Sequence, residues 1–147
     1  MILNFLFQIL GAYVATVTAG VLLEAPKHLI YHTGFIGASG YAVYLSLLDK
    51  TDKAVATLLG GMVIALLSQI SARRLASPVT VFYIPSFFPL VPGVGVYRIA
   101  YYYIQDNPQL AGENLMESIL VSGAIALSIF IVDSFLEIYN HLKYPKQ

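Results

Sequence analysis

Three stretches of the chain, 1–23, 28–48 and 54–72, run without a single Asp, Glu, Lys or Arg. A fourth, 118–139, carries only Asp133 and Glu137. Between them, 78–104 is just as apolar and holds one charge, Arg98, but it is interrupted by Pro85, Pro89, Pro92, Gly93 and Gly95. A helix needs roughly 20 apolar residues to cross the hydrocarbon of a bilayer. The pattern therefore predicts an all-α integral membrane protein, one domain over 1–147, with five transmembrane elements at about 1–23, 28–48, 54–72, 78–104 and 118–139. The fourth is a Pro/Gly-broken helix, because proline removes a backbone donor and clashes with the preceding turn. Freed backbone groups in hydrocarbon must face protein or a wet cavity, so such a break points to a binding site.

Polar punctuation separates the elements. Glu24-Ala25-Pro26-Lys27 closes the first, Asp49 to Lys53 is a tight turn, and Arg73-Arg74 ends the third. The stretch 105–117, with Asn107-Pro108, Gly112 and three acids, reads as the longest loop, and 141–146 as a short basic tail. The first stretch reads as a span and not as a signal peptide. No Lys or Arg precedes it, and it exceeds the roughly 7–15 apolar residues of a signal core. Small residues recur at helical spacing: Gly11, Ala15 and Ala19; Gly34, Gly37 and Gly40; Ala56, Gly60, Gly61 and Ala65; Ser118, Ser122 and Ala126. Such stripes allow close helix approach.

Composition agrees. The chain is 58% hydrophobic and 11% charged, against about 25% charged in soluble domains. Net charge is zero and no basic run exists, so nucleic-acid binding lacks electrostatic support. Cysteine is absent, which excludes disulfides and thiolate metal sites, and eleven tyrosines take the place of tryptophan as interfacial anchors. If 78–104 crosses fully, Lys27, Arg73, Arg74, Lys143 and Lys146 share one side and Lys50 and Lys53 the other. By the positive-inside rule this predicts an outside N-terminus and a cytoplasmic C-terminus. A re-entrant 78–104 would leave four against three and decide nothing.

Arg98 is the sharpest candidate. A charge within the membrane faces a cavity or a partner, and a guanidinium binds a carboxylate through two parallel hydrogen bonds; the alternative is an arginine snorkelling to the headgroups. A half-helix starting near Gly93 would turn a partly positive end toward the same anion. The candidate substrate site is therefore Pro89, Pro92, Gly93, Gly95, Tyr97 and Arg98, with Ser86 and Tyr101 nearby. Asp133 and Glu137, one turn apart, and Gln69 are candidates for ion coupling, against interfacial pairing with Arg73 or Arg74 and simple packing. His28 and His32 lack a third ligand, so no metal site is expected. No nucleophile–base grouping is present, so the chain is not read as an enzyme, and no cofactor is expected.

At Pro85-Ser-Phe-Phe-Pro-Leu-Val-Pro-Gly93, followed by Tyr97, the chain resembles the threonine/serine exporter family, in the short form where the exporter is split into two polypeptides. The resemblance is to the smaller, C-terminal half. It implies a multi-pass protein of the bacterial cytoplasmic membrane that exports threonine and serine on an ion gradient with a larger membrane partner. Some similar pairs are linked to dicarboxylates such as succinate. The small carboxylate-bearing substrate, the lipid bilayer and the larger subunit are the expected partners, and several copies of each half are permitted. The competing reading is an accessory membrane subunit with no substrate site of its own.

Overall fold

The computed structural model describes residues 2–143. The described chain folds into α1 (Ile2–Leu22), α2 (Lys27–Leu48), α3 (Lys53–Arg74), the short α4 (Thr80–Phe87) with a 3-10 turn at Phe88–Leu90, α5 (Gly93–Ile104) and α6 (Pro108–Lys143). Three of these helices, α1, α3 and α6, are long and apolar enough to cross a membrane. The bent pair Thr80–Leu90 and Gly93–Ile104 makes four if it counts as one span. The expected five are thus matched in part. The remaining helix, α2, has the length, 22 residues, but its His, Thr, Ser, Gly and Tyr content lowers its hydropathy.

Three helix ends share one device. Glu24, Ala76 and Asp106 adopt positive φ of 55°, 46° and 52°. In each case the next amide bonds back five residues: Ala25 to the Gly20 carbonyl at 2.9 Å, Ser77 to Ala72 at 3.1 Å and Asn107 to Tyr102 at 3.0 Å. A proline follows two residues after each left-handed residue, at Pro26, Pro78 and Pro108. Left-handed caps satisfy orphan carbonyls, and proline just beyond prevents the helix from resuming. The usual glycine is missing from all three.

The expected loop 105–117 is corrected. After one tight turn, α6 begins at Pro108 and runs 36 residues. Proline suits the first helical position, where its missing N–H is not needed. Asn107 caps that helix, its Oδ1 accepting from the Leu110 amide at 3.2 Å. Replacing Asn107 with Ala should loosen the first turn by about 1 kcal/mol. Hydrogen exchange at the Gln109–Ala111 amides should then speed up by about fivefold. At the other end the helix continues through His141, so the basic tail is shorter than expected; Lys146 lies outside the described residues.

Cross-links between α3 and α6 set the frame. Lys53 pairs with Glu117, Gln69 with Asp133 and Arg73 with Asn140, at sequence separations of 64, 64 and 67. The two helices are therefore parallel, and the chain between them must return from the far end to the near end. Lys53 and Arg73 stand about 30 Å apart at about 1.5 Å per residue, close to the hydrocarbon thickness. Helix α2 packs between α1 and α3, and α4 fills the space among those three. Leu29, Ile36, Ile64, Phe82, Phe87, Leu90 and Val132 form the shared core. Gly40 and Gly60 let α2 and α3 touch backbone to backbone: a Cβ on either would lie 2.8 Å from the other's carbonyl oxygen. The small residues Gly11, Ala15, Ser122 and Ala126 are exposed.

Helix α5 packs chiefly on α6. A Cβ on Gly95 would lie 2.4 Å from Ser118 Oγ, next to the Glu117 that meets the start of α3. From Gly95 onward α5 thus runs beside the first turns of α6, past the N-terminal end of α3, and none of its residues is buried.

Candidate functional site

Three polar side chains meet inside the apolar bundle, each from a different helix. Asp133 comes from α6, Gln69 from α3 and Tyr83 from α4. The Tyr83 hydroxyl donates to Asp133 Oδ1 at 2.5 Å, and Gln69 Nε2 donates to the same oxygen at 2.7 Å. Gln69 Nε2 also lies 3.3 Å from the Tyr83 hydroxyl, which closes the triangle. Tyr83 is buried, and Gln69 and Asp133 are half-buried. Asp133 Oδ2 has no hydrogen bond to any described residue.

The local sequence explains the meeting. Gln69 lies one residue beyond the buried stripe of α3 at Ile64, Ala65 and Ser68, so it reaches the edge of the core. Tyr83 belongs to the buried face of α4 with Phe82, Pro85, Ser86 and Phe87, and its ring packs edge-on against Phe87 at 6.1 Å. Asp133 follows Val132, which is 3% exposed. A carboxylate here is costly to desolvate unless hydrogen-bonded, and two donors on one oxygen supply that compensation. No described ion pair reaches it. Arg73, one turn along α3 from Gln69, bonds Asn140 Oδ1 at 3.4 Å instead. Of the three coupling candidates, then, Gln69 and Asp133 come together, while Glu137 is exposed and outside the triangle.

A second polar contact holds the same buried face of α4 three residues on, toward α2. Ser86 is fully buried and donates to the Thr33 carbonyl of α2 at 3.1 Å. The close approach is possible because Gly37 of α2 faces it; a Cβ there would lie 3.1 Å from the Ser86 carbonyl oxygen and 2.3 Å from Thr16 Oγ1 of α1. The remaining substrate candidates spread out. Pro89 is half-buried in the 3-10 turn, Pro92 and Gly95 are half-buried at the break, and Gly93 is exposed. Tyr97, Arg98 and Tyr101 are exposed along α5, with Tyr97 and Tyr101 stacked on each other at 6.1 Å. Arg98 makes no hydrogen bond or ion pair with a described residue. By position along α6, Asp133 lies 15 residues from Ser118, so about 22 Å separates the triangle from the start of α5. The sequence-derived set is therefore two groups, one inside the bundle and one on the projecting helix.

Tyr83 escaped the sequence reading. As one of eleven tyrosines it had no mark of its own beyond standing two residues before Pro85. Among the described residues, no group of three or more His, Cys, Asp or Glu could hold a metal ion.

Comparison with known proteins gives one finding. The family model described as Threonine/Serine exporter, ThrE matches residues 8–135, which takes in most of α1, all of α2 to α5, and α6 to two residues beyond Asp133. No curated protein and no solved structure matches the chain.

Proposed function

The chain belongs to the threonine/serine exporter family, and on that premise we propose that it is one subunit of a secondary transporter that exports threonine or serine with a larger membrane partner. The observation that carries the reading is Asp133. An ionisable carboxylate inside an apolar bundle, held by two neutral donors and no cation, has a use in a transporter that packing alone would not give it. In this reading Asp133 takes up and releases the coupling proton, and Gln69 orients it.

The chain crosses the bacterial cytoplasmic membrane five times, with 78–104 as a full crossing and the N-terminus outside. The parallel course of α3 and α6 supports the crossing, and the cluster of Lys27, Arg73 and Arg74 at one end supports the orientation. Arg98 and the Gly93 end of α5 receive the substrate carboxylate, against a surface that the partner completes. The exposure of Arg98 and of the small-residue faces at Gly11, Ala15, Ser122 and Ala126 supports an incomplete site of this kind.

The test is export from cells expressing this chain, the larger subunit, or both, after loading with threonine, serine, succinate and a control amino acid. The pair should lower intracellular threonine and serine several-fold while either half alone does not, and Arg98→Gln should raise the apparent KM by about tenfold, as loss of a charge-assisted pair would. Unchanged threonine and serine in cells holding both halves would rule the proposal out.

A further inference from the structure

Besides its apolar packing, the short helix α4 makes two polar contacts of different character. Ser86 donates to a backbone carbonyl of α2, a bond that no change of pH alters. Tyr83, three residues earlier on the same buried face, donates to Asp133 of α6, a carboxyl group with a charged and a neutral form. Pro85 lies between the two, and Pro89 and Pro92 follow, so α4 has no helical continuity with α5 beyond a 49° bend. Phe82 and Phe87 seat α4 in the apolar core, and the two hydrogen bonds are the polar contacts that fix how it sits there.

We propose that Tyr83 is a positioning residue for export, tying the charge state of Asp133 to the grip of α6 on the broken helix α4. This rests on the reading of Asp133 as the coupling carboxylate and adds the residue that transmits its state. When Asp133 is ionised, its Oδ1 accepts from Tyr83 and Gln69, and hydrogen bonds to a charged acceptor are about twice as strong as neutral ones. When a proton binds at Oδ2, which no described residue occupies, both bonds to Oδ1 weaken. Tyr83 keeps its own proton throughout; it senses the charge and does not relay it. The constant Ser86–Thr33 bond then serves as the pivot and the Tyr83–Asp133 bond as the releasable hold.

The groups facing Asp133 leave it free to act in this way. From α3 comes neutral Gln69, with Arg73 engaged on Asn140 and Arg74 exposed. From α4 comes Tyr83 alone, since Thr80 is exposed and Ser86 turns to α2. On α6 itself, Glu137 stands one turn away and exposed. From α5, Arg98 lies near the opposite end of the bundle.

The chain has no cysteine, so a single reporter cysteine is clean. Ile84 adjoins Tyr83 and is 57% exposed, in a cleft lined by Leu23, Glu24, Thr80 and Pro85. In the chain reconstituted with its partner, the rate at which a membrane-permeant maleimide labels Ile84→Cys is measured across pH, as a ratio to labelling of Leu127→Cys on the outer face of α6. The ratio should rise by about fivefold as pH falls, matching the difference between a charge-assisted and a neutral hydrogen bond. Tyr83→Phe keeps the ring and removes the hydroxyl; it should make the ratio high and flat across pH and flatten the pH profile of export. Ser86→Ala should raise the ratio at every pH while keeping its slope, which serves as the check should Tyr83→Phe fail to fold. A Tyr83→Phe slope equal to the parent's, or a Ser86→Ala slope of zero, overturns the proposal. If Asp133→Asn leaves the pH profile of export intact, the coupling role of Asp133 has failed; a pH-sensitive export with a flat parent labelling ratio sinks the role of Tyr83 alone.

Discussion

Replacing Asp133 with Asn should reduce gradient-driven export by at least about tenfold, the equivalent of roughly 1.4 kcal/mol, and leave the protein folded. The substitution is nearly isosteric. The Asn carbonyl can still accept from Tyr83 and Gln69, which now share Asp133 Oδ1. What disappears is the ability to carry a negative charge and lose it to a proton. Two opposing effects bear on stability: weaker, neutral hydrogen bonds cost something, and the relief of burying a charge returns something. They offset to within about 1 kcal/mol, so unfolding should barely change. Exchange of labelled threonine for unlabelled across the membrane, which needs no net proton movement, should fall by less than about threefold. Proteoliposomes with an imposed pH gradient separate the two readouts. Full gradient-driven export by the Asn variant would remove Asp133 from the coupling mechanism.

Gly40→Leu should be the most damaging single change to the fold. A Cβ on Gly40 would lie 2.2 Å from Ile64 Cγ1 and 2.8 Å from the Gly60 carbonyl oxygen. Ile64 is fully buried and stiff at χ1, so it can give little, and the carbonyl is backbone and cannot move aside. The side chain would therefore force α2 and α3 apart along the seam where Gly40 meets Gly60. Overpacking costs about 1–3 kcal/mol, and contact with backbone puts this case at the upper end. For a chain of this size that is a fall of roughly 6–12 °C in Tm, measurable by retention of the folded peak on size exclusion after heating in detergent. Gly11→Leu is the matched control. Nothing lies within 4 Å of a Cβ there, so its Tm should stay within about 1 °C, although it is placed to block a partner helix. Equal losses from the two variants would show that the α2–α3 seam is not the constraint.

The two sites contrast in how far the residues alone reveal them. Asp133 and Gln69 stand out as polar side chains within apolar runs, so each is flagged by its own surroundings. That they touch depends on α3 and α6 lying parallel at the register that sets residue 69 beside residue 133, which neither run contains. Tyr83 is a tyrosine among many, and only the direction of the buried face of α4 turns it toward Asp133. Arg98 is the reverse case. Its apolar neighbours suggest mid-membrane depth, but α5 packs beside the first turns of α6 and carries it past the end of α3. The loop expected at 105–117 became helix because Asn107-Pro108 works equally well as a break or as a cap followed by a first helical residue. That choice depends on whether the next residues have a helix to pack on, and here α5 provides it.

Apolar run length, the spacing of prolines and the distribution of Lys and Arg determined that the chain is helical, bound for a bilayer, broken near Pro89–Pro92 and unequal in charge at its two ends. These are local quantities, each set by the transfer free energy or backbone geometry of a few adjacent residues. Tertiary structure decided which polar groups share a hydrogen bond, which small-residue stripes close on a neighbour and which stay open, and how far along the bundle Arg98 lies. Those depend on the register between helices, a property of pairs of surfaces that no single stretch of sequence holds.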